Sequence, residues 1–156
     1  MQFESSLLVV RDLAASLAFY QDFLRQEVQE ETEEGAVLEC GVCLQTARSW
    51  AGLLGRPRSA LPCGGGAAEL CFVEEELDEF LEQLKIHPEV ELLHPPLEQR
   101  WGQRTVRLYD PDRHIVKVTE PLRTVARRFQ RQGMSGEAVA LRMEIPLETA
   151  RELLRQ

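Results

Sequence analysis

Residues 3–10 form an apolar, β-branched run that reads as a strand, and after Arg11 the hydrophobic period changes. Leu13, Leu17, Tyr20 and Leu24 recur at helical spacing behind Asp12, whose carboxylate can accept from a free N–H of the first turn. Short extended runs follow at 27–31, 36–39 and 42–45, separated by a polar Glu-Thr-Glu-Glu-Gly and by Gly41. This unit reads β-α-β-β-β. The pattern then restarts: residues 68–74 are extended, Leu77, Phe80, Leu81 and Leu84 share one helical face, and strands are expected at 89–93, 103–109 and 114–119. The last two meet across Asp110-Pro111-Asp112, which supplies turn chemistry.

A shift of 64 residues lays Glu69 on Ser5, Glu76 on Asp12, Leu77 on Leu13 and Leu81 on Leu17. Such a repeat implies pseudo-twofold halves, each half-sheet burying one face against a helix and curving the other towards a shared cavity. Between them, residues 46–67 are rich in Gly, Pro and Arg and read as a linker or mobile flap carrying Trp50 and ending in Gly64-Gly65-Gly66. Beyond residue 120 the pattern is helical. Residues 122–132 stop at Gly133, Ser135 can cap 136–142, and Pro146 suits the first turn of a helix ending near Leu154.

Charge divides the chain where the pattern does. Residues 1–120 carry 11 basic and 22 acidic side chains, net −11, and residues 121–156 carry 7 and 4, net +3. An acidic body is a poor nucleic-acid surface, so only the tail is a candidate for one. Its three short helices resemble a helix-turn-helix unit, although such helices more often cover a sheet edge or a dimer seam. No apolar run approaches a membrane span, and the N-terminal segment lacks a basic region followed by an apolar one. A cytoplasmic protein without membrane contact is therefore expected. Cys40, Cys43, Cys63 and Cys71 are expected to be reduced thiols; Cys40-Gly41-Val42-Cys43 sits in an extended region, away from a helix start.

Three pieces carry a resemblance: V-x-D-L-x-x-S-x-x-F-Y from Val10, W-G-x-R from Trp101, and D-P-D-x-H from Asp110. In this order, with the 64-residue repeat, the chain over residues 1–120 resembles the vicinal oxygen chelate superfamily of glyoxalase I, extradiol dioxygenases and bleomycin-resistance proteins. The resemblance implies an α+β fold of paired βαβββ modules, 1–47 and 68–120 around linker 48–67, forming an open barrel-like cup. Residues 121–156 would be a helical extension. It also implies metal positions on the first and last strand of each module. These fall on Ser5, on Leu44 or Gln45, on Glu69 and on Lys117. A Ser is a weak ligand and an ammonium cannot coordinate without losing its proton, so the set is degraded. Lys117 could instead pair with Glu69 in the metal's place, or send its amine to solvent. Glu120 or His114 could rescue a displaced site if the strand register slips.

The resulting expectation is a homodimeric, metal-free and cofactor-free binder of a small organic molecule, lined by Glu69, Trp101, Arg104, Arg107, His114 and Lys117. A metal-dependent glyoxalase-type lyase or isomerase, or a dioxygenase, is the first alternative. A ligand-sensing transcriptional regulator using the tail is the second. His94 and Glu98 are candidates for acid–base chemistry beside the Trp101 indole, with Glu98 pairing to Arg104 or Arg107 across the hairpin as the structural alternative. No Ser-His-Asp set, P-loop or nucleotide fingerprint is present.

Overall fold

Asp12 is where strand gives way to helix. Its side chain accepts from the Ala15 N–H at 3.1 Å, opening α1 (Leu13–Leu17), which widens into a π-helical turn over Ala18–Phe23. That turn holds Phe19 and Tyr20 both buried, their rings edge-on at 5.2 Å. Four strands accompany it: β1 (Ser6–Val10), β2 (Val28–Glu31), β3 (Gly35–Leu38) and β4 (Val42–Thr46), in sheet order β1-β4-β3-β2. β1 runs parallel to β4 with Leu8 opposite Leu44, and β3 runs antiparallel to β4 with Ala36 opposite Leu44. Period-two alternation points Ala36, Leu38, Val42 and Leu44 into one core with Leu17, Tyr20 and Leu24.

The computed structural model describes residues 1–155. Two compact units emerge, Met1–Glu69 with Tyr109–Ile115, and Leu70–Leu108 with the chain from Val116 onward. The fold is α+β, built on two open four-stranded sheets, neither closed into a barrel.

Residues 46–67 depart from the expected loop. The Thr46 hydroxyl accepts from the Ser49 N–H at 3.3 Å and caps α2 (Ala47–Leu54), which Gly55 closes at φ 59°. The Thr46 cap was the available signal, outweighed by the Pro, Gly and Arg that follow. A short 3₁₀ turn, Arg58–Ala60, comes next, and β5 (Gly65–Val73) begins inside the triple glycine. Nor is that glycine run a loose flap. Gly64 sits at φ 73°, its N–H donates to His114 Nε2 at 3.1 Å, and a Cβ there would strike the Asp112 carbonyl.

The second sheet contains β5, β6 (Leu92–Glu98), β7 (Arg104–Tyr109) and β8 (His114–Thr119) in order β5-β8-β7-β6, the order of the first. With α3 (Leu77–Ile86) the repeat is structural: α1 and α3 start at Leu13 and Leu77, β2 and β6 at Val28 and Leu92, each 64 apart. β6 begins later than expected and runs through Pro95-Pro96. An edge strand tolerates prolines, and its register shifts at His94 and again before Leu97. The tail forms α4 (Leu122–Arg131), α5 (Gly136–Met143) and α6 (Leu147–Arg155) around Val125, Ala126, Phe129, Val139, Ala140, Met143 and Ala150. Among the described residues no helix is long and apolar enough to cross a membrane.

Gly64→Ala should lower stability by about 2 kcal/mol or more, because it adds left-handed strain to a backbone clash. Gly66→Ala, where a Cβ meets nothing within 4 Å, should be near neutral in the same denaturant titration. Equal effects would mean that the run is not pinned.

Candidate functional site

Strand periodicity divides the residues expected to line one pocket. On β7, Arg104 shares a face with Val106 and Leu108 while Arg107 lies on the other; on β8, His114 goes with Val116 and Val118 while Lys117 does not. Val106, Leu108 and Val116 have no exposed surface and Val118 has 2%, so theirs is the covered face. Residues three apart on a strand cannot point the same way. Arg104 and His114 therefore serve the interior, and Arg107 and Lys117 the opposite face.

Arg104 meets a carboxylate that sequence reasoning considered only as a displaced metal ligand. Glu120 is fully buried. Its Oε1 accepts from the Arg104 N–H at 2.7 Å and from Arg128 Nη1 at 2.9 Å; its Oε2 accepts from Arg128 Nη1 at 2.8 Å and Arg104 Nε at 3.2 Å. Arg104 Nη1 also donates to Asp78 at 2.6 Å, and that hydrogen bond holds the Asp78 carboxyl below its ordinary value. Trp101 is a prop of this cluster: its Nε1 donates to Gln103 Oε1 at 3.0 Å, and Gln103 Nε2 donates to the Glu120 carbonyl at 2.7 Å. Arg128 further donates to the Gly102 carbonyl, and Gly102, at φ 89°, lies where a Cβ would overlap the Phe129 ring. No fixed spacing along the chain links Glu120 to Arg128 and Arg104, which is why pattern reading missed the triad.

His114 is engaged as completely. Gly64 N–H can only donate, so Nε2 accepts and Nδ1 carries the proton to Asp110 Oδ2 at 2.8 Å. The same Oδ2 accepts from the Tyr20 hydroxyl at 3.0 Å, while Oδ1 accepts the Asp112 and His114 N–H groups at 2.9 and 2.8 Å. Burial, then the Asp110 charge, pushes the Tyr20 hydroxyl well above its ordinary value. Asp112, also buried, takes Arg11 Nε at 2.6 Å. The D-P-D-x-H motif thus makes a buried polar network at the hairpin tip, with neither ring nitrogen of His114 left for a ligand.

Arg107 and Lys117 lie half-buried on the other face, beside the buried Thr105 and Thr119. Arg107 Nη1 lies 3.4 Å from His94 Nε2; the guanidinium can only donate, so His94 carries its proton on Nδ1, directed at the Pro95 carbonyl at 2.7 Å. Glu98 does not pair with Arg104 or Arg107. It faces Arg142 at 3.4 Å, because Arg104 is already taken by Glu120 and Asp78. His94 and Glu98 are not hydrogen-bonded to each other. Glu69 is exposed on β5.

Of the implied metal positions only Glu69 carries a side chain suited to a cation, and the others do not complete a site around it. Ser5 is exposed just before β1, Leu44 is buried and apolar, Gln45 gives its Nε2 to Ser49 Oγ at 2.8 Å, and Lys117 brings its own positive charge. Among the described residues no three His, Cys, Asp or Glu side chains are grouped to hold a metal ion. The four cysteines are free thiols.

A family model described as a glyoxalase-like domain matches residues 3–123. No functionally curated protein matches the chain. Among solved structures, a protein of unknown function from Agrobacterium tumefaciens strain C58 is 33% identical with TM-score 0.70, over 78% of this chain and 94% of its own. A lactoylglutathione lyase from A. tumefaciens is 22% identical with TM-score 0.58, over 76% of this chain and 92% of its own. A glyoxalase/bleomycin resistance protein/dioxygenase from Nocardioides is 21% identical with TM-score 0.62, over 77% and 83%. At these last two identities the likeness is one of fold. α5 and α6 lie beyond the matched family segment.

Replacing Arg128 by Met leaves half the compensation of a buried carboxylate missing. It should cost about 3 kcal/mol in chemical denaturation. Arg127→Met, one residue away and outside the cluster, should change stability by less than about 0.5 kcal/mol.

Proposed function

Because this chain belongs to the glyoxalase-like family, we propose that it binds a small organic molecule on the Arg107–Lys117 face of its second sheet without a metal ion. The observation that supports this reading most is Lys117. It is half-buried on the face opposite Val116 and Val118, at the position where the family resemblance expects a ligand. With Arg107 on the same face, two cationic side chains stand together, and the ligand they suit carries a carboxylate or another electron-rich oxygen. The flanking Thr105 and Thr119 hydroxyls are already given to the backbone carbonyls of Val118 and Arg104. Recognition therefore rests on the two long cationic side chains.

Acid–base catalysis by His94 and Glu98 is the weaker reading. One His94 nitrogen is aimed at a carbonyl, the other at a guanidinium, and Glu98 faces a third residue. Nucleic-acid binding through α6 is weaker still. Arg151 and Arg155 are ion-paired with Glu148, and Arg151 also with Glu137, so the helix that would enter a groove offers little unneutralised charge.

A thermal-shift panel of small aromatic acids and their neutral amides tests the proposal. The acids should raise the melting temperature more than the amides do. Arg107→Met and Lys117→Met should each weaken the best acid by about tenfold or more, the loss of one charge-assisted hydrogen bond. Full retention of binding in both variants would refute it.

A further inference from the structure

An open surface cavity of about 500 Å³ in the first unit is lined by the exposed Arg11, Arg58 and Ser59 and by the half-buried Leu61 and Cys63. It shares no residue with the β7–β8 face. Its lining is unusual for a body of net charge −11: two guanidiniums, a hydroxyl and a thiol, with no carboxylate in the wall. Arg11 is pre-oriented, since its Nε and backbone N–H donate to the two oxygens of buried Asp112 at 2.6 and 3.0 Å, an arrangement that leaves its terminal Nη groups outside the pair. Arg58 makes no ion pair and Ser59 no side-chain hydrogen bond among the described residues. The buried carboxylates of Asp112 and Asp110 act on Arg11 from behind the wall, and the groups left at the wall to donate are Arg58, the Ser59 hydroxyl and the terminal nitrogens of Arg11. Leu61 adds a small apolar surface.

We propose that this cavity binds the oxyanion group of a small organic acid or phosphate ester, held by Arg58, the terminal nitrogens of Arg11 and the Ser59 hydroxyl. The arrangement is a fork with one tine held by Asp112. Asp112 sets the orientation of Arg11, and Arg58, carried on the short Arg58–Ala60 turn, closes on the anion from the other side. The segment that composition marks as a Gly-, Pro- and Arg-rich connection thereby acquires a role.

Cys63 reports on the cavity. The same thiolate attacks the methylene carbon of iodoacetate or iodoacetamide and displaces iodide, so the ratio of the two rates at one cysteine cancels the thiolate fraction and reads the local preference for an anion. Cys40 and Cys71, both exposed, are internal references. Peptide mapping of the full chain should show an iodoacetate-to-iodoacetamide ratio at Cys63 roughly threefold to tenfold above theirs. Arg58→Gln should bring the ratio down to the reference value. At constant ionic strength, inorganic phosphate or acetate should slow iodoacetamide at Cys63 and leave Cys40 unaffected; whichever protects better tells whether phosphate or carboxylate is preferred. Equal ratios at the three thiols, an undiminished ratio in Arg58→Gln, or protection by neither anion would overturn the proposal.

Discussion

A carboxylate with no exposed surface is tolerated only where charge and hydrogen bonds replace the water it has lost, and Glu120 imposes that requirement on everything near it. It takes Arg104 from the strand beside it, Arg128 from α4 and the Arg104 N–H from the backbone. Arg128 in turn closes on Gly102, where only a glycine lets Phe129 approach. The W-G-x-R segment is thus the seam along which the tail helices are fastened to the second sheet. Pulling Arg104 into this seam also removes it from any ligand face and frees Glu98 to meet Arg142.

The hairpin tip follows the same physics with different residues. Asp110 accepts from Tyr20, from His114 and from two backbone N–H groups, and Asp112 accepts from Arg11. Oδ1 of Asp110 is satisfied locally by the two backbone N–H groups, whereas Tyr20 and Arg11 arrive from about a hundred residues away in sequence, and the tip is correspondingly grouped with the first unit. Two motifs that carry the family resemblance are therefore structural here: W-G-x-R and D-P-D-x-H both build buried polar clusters.

Much of the fold was legible because it is periodic. The β8 bounds, the start of α3, the cap at Ser135 and the three tail helices follow from spacing and capping chemistry that operate locally. The α2 helix was lost because Thr46 gave a single local signal against a Pro- and Gly-rich sequel, and β6 was displaced because prolines discount a strand that only its edge position permits. The site was less legible. The charged residues of the hairpin were read as one set, whereas alternation assigns Arg104 and His114 to one face and Arg107 and Lys117 to the other. Glu120, Arg128 and Tyr20 reach these clusters with no spacing that marks them along the chain, whereas Asp110 engages His114 from within D-P-D-x-H, a motif read for its turn chemistry and not as a clasp on the imidazole.

Lys117 stands at a position where the family resemblance implies a metal ligand, and its ammonium cannot coordinate without losing its proton. Titration of the dialysed protein with Mn²⁺, followed by loss of the free-ion electron paramagnetic resonance signal, tests this most directly, because a hard cation ignores the free thiols. The account predicts no stoichiometric uptake. One tightly held Mn²⁺ per chain, released by Glu69→Ala, would contradict it.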